Sequence, residues 1–181
     1  MEKKELIYRQ SWSLEKKIDH SLGVIEQFYS HLDGKCFVSF SGGKDSTICY
    51  WLARKLYPDI KAVFCNTGNE YPDIVKFVRG MKNDGLNIEI IYPEIKLREV
   101  MSQYGFPLVS KEQSYYIYEV RNTKKEEIRN RRLNKRTYRG EAGKLSEKWH
   151  FLINEPYEIS PKCCDILKKK PFHKYELLTK S

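Results

Sequence analysis

The sequence has no long hydrophobic run and few cysteines, and each of these features limits the classes of protein to which it can belong. It contains no apolar stretch long enough to cross a membrane, and its mean hydropathy is −0.65, which predicts a protein without a membrane span. The first twenty residues carry charges throughout and have no apolar core, so they do not read as a secretory signal. The five cysteines are an odd number in a chain without such a signal. We therefore expect a reduced, cytoplasmic protein.

The composition is that of a folded and basic chain. Its 181 residues are 40% hydrophobic and 13% aromatic, which excludes a wholly disordered chain. A chain of this length can bury a sizeable core, so we expect residues 1–181 to form a single domain without a disulfide or metal staple. The 33 Lys and Arg exceed the 24 Asp and Glu by nine. That excess predicts either affinity for polyanions, such as nucleotides and nucleic acid, or no more than good solubility.

The order of apolar patterns indicates an α/β fold. Apolar residues at three- and four-residue steps predict a first helix over residues 13–31, with Ser13 as its N-cap. Three short apolar runs, each followed by a helical pattern, predict strands at 35–40, 60–65 and 87–92 and helices at 46–56, 71–81 and 94–104. This alternation predicts a doubly wound, mainly parallel sheet with helices on both faces.

A basic insertion is expected at about residues 121–148. Arg121–Lys148 holds eleven basic and four acidic residues, and its apolar residues Ile128 and Leu133 are sparse. We expect a solvated helix or a mobile insertion, which is either an ordinary solvated face or a surface that binds the phosphates of nucleic acid. The tyrosines that precede it could stack on bases or belong to the core; they are Tyr115, Tyr116 and Tyr118.

The last part of the chain contains an adjacent pair of cysteines. Ser160 and Pro161 predict the start of a short helix that Pro171 ends. Cys163 and Cys164 lie at its beginning among several lysines, a setting that lowers the pKa of a thiol. The other three cysteines lie on predicted core elements, where we expect them to be small buried residues; they are Cys36, Cys49 and Cys65. The four histidines show no metal-ligand spacing.

The strongest signal is the segment Ser41-Gly-Gly-Lys-Asp-Ser46, between the first predicted strand and its helix. Two glycines bring backbone N–H groups close to an anion, and the helix that follows points its positive end at the same place. Lys44 adds a positive charge, and Ser41 and Ser46 add hydroxyl donors. The segment predicts a phosphate or pyrophosphate site, with Asp45 and the phosphates holding Mg²⁺. It is not a Walker A loop, because its glycines are adjacent and Asp45 follows the lysine.

The segment resembles the PP-loop of the N-type ATP pyrophosphatases. The chain from about Trp12 to Tyr175 is similar to the phosphoadenosine phosphosulfate (PAPS) reductase family of that superfamily, in its bacterial and phage-encoded branch. The stretches that carry the resemblance are Val38–Thr47, Ala62–Pro72 and Lys162–Phe172.

The resemblance implies the family's fold, which is adenine nucleotide alpha hydrolase-like, and its ligand. The expected ligand is an adenine nucleotide, ATP or PAPS, bound at the carboxyl edge of the sheet. The nucleotide-binding residues are then Ser39, Ser41, Gly42, Gly43, Lys44, Asp45, Ser46, Thr67, Gly68 and Glu70. The expected catalytic residues are Lys44, Asp45, Cys163 and Cys164. For the two cysteines, a structural pair is the alternative. Asn66 stands where the family usually has Asp, which weakens any metal role at that position.

The resemblance also implies a reaction and leaves alternatives open. Members with a complete loop cleave ATP to AMP and pyrophosphate and adenylate an acceptor, in sulfur or nucleic-acid-modification chemistry. The alternatives are a sulfonucleotide reductase and a nucleotide-binding module without turnover. We expect no iron–sulfur cluster within one chain, because four thiolates are needed and no second cysteine pair follows Cys164. Family members commonly continue beyond the position of Ser181, so the resemblance implies a missing C-terminal segment, or a partner or second copy that completes the site.

Overall fold

The structure is a computed structural model that describes residues 3–134 and 143–179. Contacts between Cα atoms divide the chain into two compact units. Within the described residues, the first unit comprises 3–66 and 70–91, and the second comprises 67–69, 92–134 and 143–179. The expectation that residues 1–181 form a single domain stays a prediction.

The first unit contains the sheet and the helices that alternate with it. Its elements are α1 (Lys3–Gln10), α2 (Leu14–His31), β1 (Val38–Phe40), α3 (Lys44–Leu56), β2 (Ala62–Cys65), α4 (Pro72–Asn83) and β3 (Ile88–Ile91). The helix expected at residues 13–31 is confirmed, and the Ser13 hydroxyl accepts the Lys16 N–H at 3.3 Å. This unit makes the chain a helix-rich α/β protein with a small parallel sheet.

The three strands form one parallel sheet in the order β1-β2-β3. Phe40 of β1 pairs with Phe64 of β2, and Cys65 of β2 pairs with Ile91 of β3. All three predicted strands are present, but β1 begins three residues later than predicted. The reason is a turn after α2, in which the Cys36 N–H donates to the Gly34 carbonyl at 2.9 Å. Because the strands are parallel, their carboxyl ends share one edge, where the loop after β1 begins.

The core of the first unit lies between the sheet and its helices. Its buried members are Phe40, Tyr50, Ala53, Ile60, Ala62, Phe64, Val78, Met81 and Ile88. Every residue of β2 is buried, as expected for the middle strand of a covered parallel sheet. This packing fixes the end of β1 and therefore the place where the loop after β1 starts.

The second unit is helical. Its elements are α5 (Leu97–Tyr104), α6 (Lys111–Asn122), α7 (Glu126–Leu133), a 3₁₀ helix (Glu147–Asn154), a π-helical turn (Asp165–Lys169) and α8 (Lys170–Thr179). Helix α6 was not among the elements predicted from the sequence, although it carries ordinary helix signals. The Ser110 hydroxyl accepts the Gln113 N–H at 3.2 Å, and Ile117 and Val120 are fully buried. The tyrosines within α6 obscured this apolar face.

The prediction that Pro171 ends the last helix is wrong. The chain is helical from Cys163, passes through a wider π-turn, and continues as α8 beyond Pro171. The Lys170 N–H donates to the Asp165 carbonyl, five residues earlier. A proline lacks an N–H and crowds the preceding turn, and a widened turn is a known way to accommodate such a disturbance.

Candidate functional site: the loop after the first strand

The loop Ser41–Gly43 connects β1 to α3 and presents the start of that helix. Gly43 is the N-cap of α3, and its carbonyl accepts both the N–H of Thr47 at 3.0 Å and the Thr47 hydroxyl at 2.9 Å. The helix therefore starts at Lys44, two residues before the predicted start. The first-turn N–H groups of an α-helix have no partner within the helix. Those of Lys44, Asp45 and Ser46 are thus directed at the loop, together with the positive end of the helix dipole.

Two serine hydroxyls tie the loop to the first turn of the helix. Ser46 Oγ lies 3.0 Å from the Gly43 carbonyl, to which it donates, and 2.9 Å from Ser41 Oγ. Ser46 Oγ also accepts the Ser41 N–H at 3.2 Å, and Ser41 Oγ accepts the Gly43 N–H at 3.3 Å. Because Ser46 donates its one hydrogen to Gly43, Ser41 is the donor between the two hydroxyls. These hydrogen bonds hold the loop in shape. The expectation that the two hydroxyls donate to a phosphate stays a prediction.

Gly42 is required where the loop passes over α4. Its φ is +72°, which L side chains rarely adopt. A Cβ at this position would lie 2.7 Å from Ile74 Cγ2 and 3.1 Å from Val78 Cγ2. The absence of a side chain therefore lets the loop lie directly on α4.

We expect Gly42→Ala to destabilise the first unit. The left-handed backbone costs about 1–2 kcal/mol, and overpacking against Ile74 adds about 1–3 kcal/mol. Gly43→Ala is the matched control, because Gly43 has φ −82° and its Cβ would meet only Ser41 Oγ at 3.4 Å. Urea unfolding of both variants measures the difference. Equal stabilities for the two variants would contradict this account of the loop.

An open cleft of about 540 Å³ lies beside the loop, between α3 and α4. Its lining residues are Gly42, Lys44, Thr47, Ile48, Asp73, Ile74 and Phe77. The sequence pointed to only two of these, Gly42 and Lys44. Ile48 and Phe77 are exposed hydrophobic side chains, 59% and 44% accessible. Their positions on α3 and α4 read as ordinary helix positions, so only the packing of the two helices shows that they face one cleft.

The other five expected nucleotide-binding residues differ in exposure and in the unit to which they belong. Ser39 and Asp45 are exposed, and Glu70 is part-buried in the first unit. Thr67 and Gly68 belong to the second unit, where the Thr67 hydroxyl accepts the Asn69 N–H at 3.3 Å. The roles of these five residues at a nucleotide, like those of the five residues in the loop and first turn of α3, stay predictions.

Few side chains are placed to bind a metal ion in the part of the chain that the structure describes. There, no group of three or more His, Cys, Asp or Glu side chains is placed to hold one ion. Asp45 alone therefore fits only an ion whose remaining ligands are phosphates and water, which is how Mg²⁺ is commonly bound. Within the second unit, the described cysteines are Cys163 and Cys164, whereas a cluster needs four thiolates. The expectation of no iron–sulfur cluster within one chain stays a prediction.

The cysteines differ from two expectations. Burial raises the pKa of the Cys163 thiol, and the neighbouring Cys164 sulfur raises it further. The expectation that the lysine-rich setting lowers this pKa is therefore wrong for Cys163, because desolvation outweighs the positive charges. Cys49 is exposed and Cys36 is only half-buried, before the start of β1, so neither is a buried core residue; Cys65 is buried as expected.

Two arginines of the basic insertion are structural. Arg121 donates to the backbone carbonyls of Ile153 at 2.9 Å and Tyr157 at 2.8 Å, and also to those of Leu152 and Glu155. It thereby ties α6 to the end of the 3₁₀ helix. A guanidinium with five donors suits this task.

Arg132 is the second of these arginines and is 8% exposed. Its guanidinium lies 4.1 Å from the centre of the Tyr116 ring, pairs with Glu119, and donates to the Gly143 carbonyl at 2.8 Å. The description of this helix as solvated and poorly packed is therefore wrong at Arg132. Residues 135–142 of the predicted insertion lie outside the described residues.

We expect Glu119 to make the stability of the second unit depend on pH. Burial opposes ionisation of this carboxyl, but hydrogen bonds from Tyr115 and Arg132 outweigh it and hold the pKa below the ordinary 4.5. A lowered folded-state pKa gives stability that is present above the unfolded value and is lost as the pH falls through the folded value. Glu119→Gln should therefore flatten the loss of stability below about pH 4.5. Urea midpoints measured against pH test this, with the exposed Glu127→Gln as control, and an unchanged slope in Glu119→Gln would contradict it.

A family model for the phosphoadenosine phosphosulfate reductase domain matches residues 35–178, most of the chain. The chain belongs to the PAPS reductase family. The match includes the loop after β1, the strands and the cysteine pair, and it places the protein in the PP-loop superfamily that the loop resembles.

Three known proteins are similar to part of this chain. Two are uncharacterized proteins of Methanocaldococcus jannaschii: MJ0973 is 38% identical over 98 residues, and MJ0066 is 34% identical over 95 residues. The third, named phosphoadenosine 5′-phosphosulfate reductase, is from Proteus mirabilis and is 26% identical over 106 residues. The alignments span 52%, 49% and 58% of this chain and 23%, 18% and 37% of the relatives. Among the described residues, no helix is both long and apolar enough to span a membrane.

Proposed function

We propose that this PAPS reductase family domain binds an adenine nucleotide through the loop Ser41–Ser46 and cleaves ATP to AMP and pyrophosphate, adenylating an acceptor. The observation that carries the proposal is the closed loop at the start of α3. Its serine hydroxyls are hydrogen-bonded within the loop, where they also accept the N–H groups of Ser41 and Gly43. The loop therefore holds the first turn of α3, with its unpartnered N–H groups, in place before any ligand arrives. Groups that are fixed in advance stabilise charge without reorganising during the reaction.

The proposed roles of Lys44 and Asp45 follow from where negative charge develops during ATP cleavage. When the bond between the α and β phosphates breaks, negative charge accumulates on the departing pyrophosphate. Lys44 lines the cleft beside the loop, and its ammonium would stabilise that charge together with the N–H groups of the first turn of α3. Asp45, next along the helix, would hold Mg²⁺, which supplies further charge neutralisation when bound. These side chains do not have to act as a base.

The second candidate is sulfonucleotide reduction with PAPS as the ligand. The family match and the name of the Proteus mirabilis relative favour it, and Cys163 or Cys164 would be its thiol. The complete Ser-Gly-Gly-Lys-Asp-Ser sequence supports ATP cleavage instead, because dedicated reductases resemble this loop less closely. A nucleotide-binding module without turnover is the remaining alternative.

The proposal also covers the binding partners of the protein and the detailed arrangement of its fold. A nucleic acid would meet the exposed cations of the basic insertion among the described residues, which are Lys124, Lys125, Arg129, Arg131 and Lys148. Arg132 and Arg121 are engaged internally and would not contribute. We also propose a doubly wound sheet, a cytoplasmic location, and completion of the site by a second copy or a partner.

Three assays separate the candidates. Exchange of labelled pyrophosphate into ATP supports adenylation, and release of sulfite from PAPS supports reduction. Binding of ATP or PAPS without either product supports the module. If neither nucleotide binds, the proposal for the loop is wrong. A nucleic-acid partner would show an affinity that falls steeply with salt and that weakens in Arg131→Ala.

A further inference from the structure

The cleft beside the loop after β1 has the same order of side chains on both of its walls. On α3, Ile48 lies four residues after Lys44. On α4, Phe77 lies four residues after Asp73, and all four side chains line the cleft. Residues four apart share one face of an α-helix and are about 6 Å apart along its axis. Each wall therefore carries a charge in the first turn of its helix and an apolar side chain one turn later.

The charged end of the cleft is the end that meets the loop. Both helices follow strands of one parallel sheet, so both begin at its carboxyl edge. Gly42 of the loop lines the cleft together with Lys44. Asp73 is a carboxylate on the opposite wall, so phosphates are favoured at the α3 wall, where Lys44 and the first-turn N–H groups lie.

The other end of the cleft is apolar and open to solvent. Ile48 and Phe77 are both exposed. Single exposed apolar side chains are common on protein surfaces, but here two of them line one concave site beside a loop suited to anions. The volume of the cleft, about 540 Å³, is in the range of sites that bind small molecules.

An adenine nucleotide carries its groups in the same order as the cleft. Its phosphates are anionic, its ribose is polar, and its base has two flat faces of low polarity. A phenylalanine ring can stack on such a face, because every base has a π-face. With the phosphates at the loop, the base lies about one helical turn further on, which is where Ile48 and Phe77 are.

We propose that the base of the bound nucleotide lies at the apolar end of this cleft, with one face stacked on the Phe77 ring and the other covered by Ile48. The proposal rests on the adenine nucleotide binding proposed above and adds the residues that hold the base. It gives a function to two apolar side chains that are otherwise exposed beside a loop for charged groups.

Titration calorimetry with two ligands separates the base from the phosphates. ATP carries both, and inorganic tripolyphosphate carries phosphates alone. We expect Phe77→Ala to weaken ATP binding about tenfold, the size of effect seen when one stacking ring is removed, and to change tripolyphosphate binding by no more than about twofold. Phe77→Tyr keeps the ring and should bind ATP within about twofold of the parent protein. Ile48→Ala removes only part of an aliphatic wall and should weaken ATP binding about threefold.

Phe28→Ala is the matched control, because Phe28 is an exposed phenylalanine of the same unit on α2 and does not line the cleft. It should bind both ligands as the parent does, and urea unfolding shows that each variant is folded. Unchanged ATP affinity in Phe77→Ala, or an equal loss of affinity for both ligands, would overturn the proposal. Unchanged ATP affinity in Ile48→Ala would remove Ile48 from it.

The same titrations distinguish failure of this proposal from failure of the proposed function. If the parent protein binds neither ligand, the loop does not hold phosphates, and the base site fails with it. If the parent binds ATP and Phe77→Ala binds it equally well, the base site alone is wrong. If the parent binds ATP but not tripolyphosphate, the comparison of Phe77→Ala with Phe77→Tyr decides, and equal ATP affinities in these two variants would contradict stacking.

Discussion

Replacing Arg132 with alanine is expected to lower the free energy of unfolding of the second unit by about 3–5 kcal/mol, because it leaves a half-buried carboxylate without its cation. The side chains of Arg132 and Glu119 are only 10% and 17% exposed in their ion pair. The substitution also removes the contact with the Tyr116 ring and the hydrogen bond to the Gly143 carbonyl. Each of these losses lowers the free energy of unfolding of the second unit.

Arg131→Ala is the matched control, because Arg131 is the adjacent residue on α7 and is exposed. An exposed arginine substituted away from such contacts should change stability by no more than about 0.5 kcal/mol. Denaturant unfolding followed by tyrosine and tryptophan fluorescence measures both variants. If Arg132→Ala is as stable as Arg131→Ala, the buried guanidinium does not organise this unit.

Replacing Lys44 with alanine is expected to reduce exchange of pyrophosphate into ATP by about 100-fold or more, the size of effect seen when one preorganised charge-stabilising group is lost. Lys44 lines the cleft beside the loop and is exposed. Its removal should therefore leave the free energy of unfolding nearly unchanged. A loss of exchange with retained stability would identify a group that acts on the reaction.

Lys55→Ala provides the control for this variant. Lys55 is exposed on the last turn of the same helix and does not line the cleft. It removes the same charge from the protein without removing it from the loop, so its exchange rate should match that of the parent. If Lys44→Ala also exchanges at the parent rate, the assignment of the loop is wrong.

The features that the sequence predicts well are those set by local chemistry. The apolar runs located β2 and β3 within two residues at each end. The match is clearest for β2, which is buried along its whole length, as an unbroken apolar run predicts. The paired glycines located the loop, because glycine allows a sharp turn before a helix. Lys44 marked it as a site for an anion because it adds a positive charge. Gly42 was expected to serve a close approach of backbone to phosphate. The structure adds that it serves a close approach of the loop to α4.

The features that the sequence did not predict depend on contacts between distant residues. Arg132 reads as one more cation in a basic run, and only the fold brings it onto Tyr116 and Glu119. Ile48 and Phe77 lie 29 positions apart, and they line the same cleft only because the fold places α3 and α4 on its two sides. Pro171 is another feature that the sequence did not predict correctly. The π-turn before it allows the helix to continue past the proline.

The central claim is that the loop after β1 holds the phosphates of an adenine nucleotide, and titration calorimetry tests it most directly. The account predicts that ATP binds to the parent protein with measurable heat and that Lys44→Ala weakens or abolishes this heat, while Lys55→Ala preserves it. No heat with ATP, ADP and PAPS alike, or equal heat from the parent and Lys44→Ala, would contradict it.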